Sequence, residues 1–194
     1  MEPNIFTAIT KKIITTIITI GSMFYSTISG VNAEFTNIDF HARGDQLVLS
    51  TELTNCFSDD LDLIFESGKD ISIYYKIEVI QLTNSQAIHT DTLIHTIHYS
   101  LVDNDFSVRI SEAQQTLYNL PKDRAKLRLV EIDNVSVLSL HSLQPGQEYF
   151  IQATAWMGKI TIEGTQENLN LMYYWNSIKP EVRSVYFTGS DLEK

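Results

Sequence analysis

From residue 71 to residue 79 every odd position is apolar. Ile71, Ile73, Tyr75, Ile77 and Val79 alternate with Ser72, Tyr74, Lys76 and Glu78. A period of two gathers apolar groups onto one face only when the backbone is extended, so this segment is a half-buried strand. The rhythm recurs. Leu47, Leu49, Thr51 and Leu53 share a face, as do Leu93, Ile97, Tyr99 and Leu101. Phe106, Val108 and Ile110 follow the Asp103-Asn104-Asp105 turn, and Tyr149, Ile151, Ala153, Ala155 and Met157 follow Pro145-Gly146. Strands with one polar face, joined by short polar turns, belong to antiparallel sheets.

Two segments break the rhythm. Ser58-Asp59-Asp60 supplies a cap and carboxylates at a helix start, Leu61, Ile64 and Phe65 share a helical face, and Gly68 supplies a stop. Residues 121–132 open with Pro121 and place Ala125, Leu129 and Ile132 at helical spacing, which favours a helix, although Leu127, Leu129 and Glu131 also fit a strand. Nothing marks a domain boundary. The expectation is a mainly β fold: one antiparallel β-sandwich-like domain, residues 34–194, with one or two short helices. Residues 158–172 are expected to form its longest loop.

Residues 1–33 have the order of a secretory signal. Lys11-Lys12 precede an uncharged run from Ile13, and Val31-Asn32-Ala33 offers small side chains for cleavage after Ala33. The run from Ile13 to Val31 is 19 residues long, close to the ~20 that span a bilayer. An uncleaved anchor is therefore the alternative, although seven Thr and Ser side chains interrupt the run. The expected location is the periplasm or otherwise outside the inner membrane, with membrane contact only through an uncleaved segment.

The whole chain has 14 basic and 24 acidic residues, a net charge of −10. Removing Glu2, Lys11 and Lys12 with the leader leaves 12 and 23. Such a surface disfavours nucleic acid and anionic membrane as partners. Cys56 is the only cysteine, so an internal disulfide is excluded, and it is expected to be a small buried hydrophobe beside Phe57.

No motif specifies a reaction. Arg43-Gly44-Asp45 lies between two apolar runs and reads as a hairpin turn. His95 and His98 are three apart, which on a strand sends them to opposite faces, so the histidines are expected to be structural and no metal is assigned. Asp59, Asp60, Asp62, Asp103 and Asp105 are accounted for by helix starts and turns. There is no P-loop, GxGxxG, GxSxG or HExxH, so no catalytic residue and no cofactor is assigned. The most distinctive composition is C-terminal: Leu171-Met172-Tyr173-Tyr174-Trp175, then Val185-Tyr186-Phe187. Tyr174, Trp175 and Tyr186 are the candidate binding residues. An extended backbone would bury Tyr173 and Trp175 and expose Tyr174.

Several segments together carry a family resemblance: Arg43-Gly44-Asp45-Gln46-Leu47 with Leu49 and Leu53, then Leu61 to Lys69 running into Ile71-Ser72-Ile73-Tyr74-Tyr75. Leu143-Gln144-Pro145-Gly146-Gln147-Glu148-Tyr149 and the aromatic C-terminus complete the order. The chain resembles the exported bacterial family called domain of unknown function 4390. The resemblance implies a signal peptide and a β-rich envelope domain with no established activity, and it carries over no site residue.

The leading functional expectation is a non-enzymatic envelope protein that binds a protein or ligand through a sheet edge or the C-terminal aromatics, with an envelope protein as partner. The alternatives are a periplasmic hydrolase with a carboxylate site that no motif announces, and an accessory to an envelope sensor whose negative surface meets a basic partner.

Overall fold

The computed structural model describes residues 30–161 and 168–192. Most of the expected leader, residues 1–29, lies outside the described residues, as does the middle of the expected long loop. In chain order the elements are β1 (Glu34–Phe35), β2 (Asp39–Arg43), β3 (Gln46–Thr54), α1 (Asp59–Phe65), β4 (Ile71–Gln81), β5 (Gln86–Ser100), β6 (Asp105–Ile110) and β7 (Gln115–Leu120). They continue with α2 (Lys122–Val130), β8 (Glu131–Ser139), β9 (Tyr149–Met157), β10 (Lys159–Thr161), β11 (Asn168–Asn170) and β12 (Glu181–Arg183). No described helix is long and apolar enough to cross a membrane.

All pairings between named strands are antiparallel. A six-stranded sheet has the order β12-β9-β4-β5-β6-β7, and a second sheet places β1, β2 and β8 against β3. Segment 158–172 is not a plain loop, because β10 and β11 pair as a short hairpin. The fold is mainly β, as the alternation requires, with two α-helices among the described residues.

β4 lies between β5 and β9. Its odd-numbered side chains from Ile71 to Val79 are buried, and so are Tyr149, Ile151, Ala153, Ala155 and Met157 on β9. The small sheet and the helices cover this face, with Leu47, Leu49, Leu61, Ile64 and Leu129 in the same core. Each fully buried side chain of this size contributes about 1.5–3 kcal/mol. Specific contacts set how the layers sit. The Tyr75 hydroxyl donates to the Leu129 carbonyl at 2.8 Å, and the Phe35 ring meets Tyr75 edge-on with centroids 6.3 Å apart.

The local chemistry explains the element ends. Ser58 Oγ accepts from Leu61 N–H at 3.2 Å, capping α1 ahead of three aspartates in its first turn. α2 stops at Val130, so Ile132 belongs to β8 and not to the helix. The two helices are joined by ion pairs from Asp62 to Lys126 at 2.8 Å and to Lys122 at 3.1 Å. Burial opposes the charge on Lys122, but the Asp62 and Glu66 carboxylates outweigh it and hold the ammonium above its usual range. Gly44, in the β2–β3 turn, has φ +64°, which explains the glycine of Arg43-Gly44-Asp45.

Residues 31–33, assigned to the leader on the sequence, are built into this fold. Ala33 is buried, Val31 N–H donates to the Tyr174 carbonyl at 2.9 Å, and the Asn32 carbonyl accepts from Asn55 Nδ2 at 2.8 Å.

Candidate binding surface

The C-terminal aromatics fold differently from an extended strand. Leu171–Trp175 form a 3₁₀ turn, opened by Asn170 Oδ1 accepting from Met172 N–H and closed by Asn176 at φ +50°. Three residues per turn put successive rings about 120° apart, so alternation fails. Tyr174 and Trp175 are both 0% exposed, whereas Tyr173 is 53% exposed. The expected exposure of Tyr174 and the expected burial of Tyr173 are thus both corrected, while Trp175 packs inward. Its indole N–H donates to the Cys56 carbonyl at 2.8 Å. Burial pushes the Tyr174 hydroxyl up to about 12, with Asp60 adding to the effect. Of the three candidates only Tyr186, 62% exposed, offers its ring to solvent.

The surface that Tyr186 joins is the polar face of the six-stranded sheet, where even-numbered β4 positions are half-buried. Two of those positions pair with β9 so that Tyr74 opposes Trp156 and Ile80 opposes Phe150. The Tyr74 and Trp156 rings stack with centroids 5.5 Å apart and planes at 9°. Lys179 Nζ lies 5.2 Å from the Trp156 centroid. At the other end Phe150 meets Tyr186 edge-on at 5.9 Å, and the Arg183 guanidinium lies 5.4 Å from the Phe150 centroid. Between these clusters Lys76 and Glu78 pair at 2.7 Å. Aromatic rings held by cations on an open sheet face form a stiff surface with little side-chain entropy left to lose. The readable signal was local: Tyr74 and Trp156 occupy positions in their strands where alternation calls for polar residues.

Elsewhere the described residues line two further hollows, among others. One, of about 190 Å³, is lined by Asp39, Glu52, Glu131 and Asp133 with Ser50 and Thr51. Carboxylate-catalysed glycoside hydrolysis needs a carboxylate pair free to act on a substrate. Here Glu131 is held by Arg128 at 2.7 Å, and Asp133 accepts from Asn134 at 2.6 Å. The other, of about 350 Å³, runs between the β3–α1 junction and α2 over Leu53, Phe57, Leu127 and Val130. Cys56 is one of its lining residues, and burial pushes its thiol up to about 12 against a smaller opposing backbone hydrogen bond. A thiol so rarely ionised is a poor nucleophile.

His95 and His98 face opposite sides, as the spacing requires. His95 is fully buried, while His98 is partly exposed and bonded to Asp70 at 2.9 Å. Among the described residues no three His, Cys, Asp or Glu side chains converge to hold a metal ion.

Fold and surface together define a two-layer antiparallel β domain with an aromatic, cation-braced sheet face. The chain belongs to the DUF4390 family, a domain of unknown function, whose model matches residues 31–160. The match begins at Val31, and it includes Tyr74, Phe150 and Trp156 but not Tyr186. No curated protein and no solved structure gave a match.

Proposed function

We propose that this chain is an exported envelope protein that acts by binding, without catalysis, and that the polar face of its six-stranded sheet is the binding surface. The observation that carries the reading is the Tyr74–Trp156 stack braced by Lys179. Partly exposed aromatics beside basic groups are the residue types that dominate interface energies. The basic leader followed by an apolar run supports export, and a protein of the envelope is the partner class that this location makes available.

The test is capture from envelope extract by the intact protein, compared with Trp156→Ala and Tyr186→Ala variants whose melting is checked. The reading expects a reproducible partner that both variants lose while keeping the parent's fold. Capture that is equal for all three proteins would move binding elsewhere on the molecule.

A further inference from the structure

β5 is 15 residues long, yet β6 pairs only with its second half, His95–Ser100. The β6–β7 hairpin turns back at Ser111, whose N–H donates to the Ile94 carbonyl at 3.2 Å while its Oγ accepts from Ile94 N–H at 2.8 Å. Residues 86–93 therefore have β4 on one side and, among the described residues, no strand on the other. These bonds set the phase of the edge. The peptide groups of Ile94 point away from β4, and antiparallel pairing repeats that direction at every second residue, Thr92 and Thr90. Thr92 agrees, because its N–H is taken by the Asp91 side chain at 2.7 Å and not by a strand. Thr90 is left with its N–H and carbonyl on the open edge.

His89 and Asp91 flank Thr90 and are the only titratable side chains in Gln86-Ala87-Ile88-His89-Thr90-Asp91-Thr92-Leu93. Both project to the same face, opposite Val79 and Ile77 on β4. His89 Nε2 is shielded from solvent without a hydrogen-bond partner among the described residues, a condition buried polar atoms rarely keep.

We propose that a second copy of this chain occupies the edge, its β5 running antiparallel about a two-fold axis at Thr90, so that two six-stranded sheets become continuous. An isologous contact must be self-complementary, and this segment is. With Thr90 against Thr90 in the hydrogen-bonded position, His89 of each copy stands opposite Asp91 of the other in the closer, non-hydrogen-bonded position. The bond from Asp91 to its own Thr92 N–H is the edge protection of the monomer, and it exchanges for the cross-copy pair on association. Asp91 is the only carboxylate in this strand and stands opposite a histidine, so pairing does not oppose like charges at the seam.

The full chain should sediment as a concentration-dependent dimer. Thr90→Cys should give a disulfide-linked dimer on mild oxidation, while Tyr118→Cys on the β7 edge should not. Thr90→Pro, which removes an edge N–H that β4 does not use, and His89→Asp, which opposes two pairs of carboxylates, should each weaken dimerisation by about tenfold or more. The exchange His89→Asp with Asp91→His should restore it, with circular dichroism melting confirming that every variant folds. A chain that stays monomeric at high micromolar concentration overturns the proposal, and so does a dimer indifferent to these changes.

Discussion

His95 Nε2 lies 2.7 Å from Glu112 Oε1 while its Nδ1 lies 3.0 Å from the Leu129 carbonyl, so a fully buried imidazole has an oxygen acceptor at each nitrogen. The Leu129 carbonyl can only accept, so Nδ1 donates to it, while Nε2 meets the Glu112 carboxylate. Leu129 is in the last turn of α2. The pair thereby fastens α2 and the β6–β7 turn to the middle of β5.

Burial alone would raise the Glu112 carboxyl, but the hydrogen bond and charge of His95 outweigh it and hold the group below its ordinary value. A carboxyl depressed in the folded state adds stability above its unfolded pKa, and that stability is lost as pH falls through the folded value. Glu112→Gln should therefore cost about 1–3 kcal/mol at neutral pH. The difference from the parent should shrink on acidification through the carboxylate range. Chemical denaturation across pH measures this, and identical curves at neutral pH would remove the pair from the stability account.

Ile77 is 1% exposed at the centre of β4. Ile77→Ala should destabilise by about 2–5 kcal/mol, because neighbouring strands cannot close around the lost methyl groups. An unchanged thermal midpoint would contradict its place in the core.

The 3₁₀ turn reverses two consequences of the extended expectation. Trp175→Ala and Tyr174→Ala should each cost about 3–5 kcal/mol, whereas Tyr173→Ala should stay within about 0.5 kcal/mol. Comparing the three by urea denaturation separates a turn from a strand, since a strand would give Tyr174 the neutral outcome.

Cys56 should resist a thiol-directed disulfide reagent in the native state and react once the chain is unfolded, given its burial and a thiol pushed up to about 12. Rapid labelling of the folded protein at neutral pH would require the β3–α1 junction to open.

A chain beginning at Glu34 lacks the bonds of Val31 and Asn32 and the burial of Ala33. It should be less stable by about 1–3 kcal/mol than one beginning at Gly30. Equal stability would show that residues 30–33 add nothing to the domain, and mass spectrometry of the natural protein would show which start it has.

By itself the amino-acid sequence determined the central strands β3, β4, β5, β6 and β9 and most of their buried positions. Alternation in segments such as Ile71–Val79 is a local property: an extended backbone turns successive side chains to opposite sides whatever lies beyond. For the same reason it determined the cap of α1 at Ser58, the turn at Gly44 and the opposite facing of His95 and His98. Tertiary structure decided what depends on distant neighbours. Trp156 and Tyr74 meet only because β9 and β4, far apart in the chain, pair in one register, and Tyr174 is buried only because the 3₁₀ turn packs into the shared core. The open half of β5 exists because β6 ends where it does. Each of these rests on contacts between residues remote in sequence, and no period within a single segment encodes them.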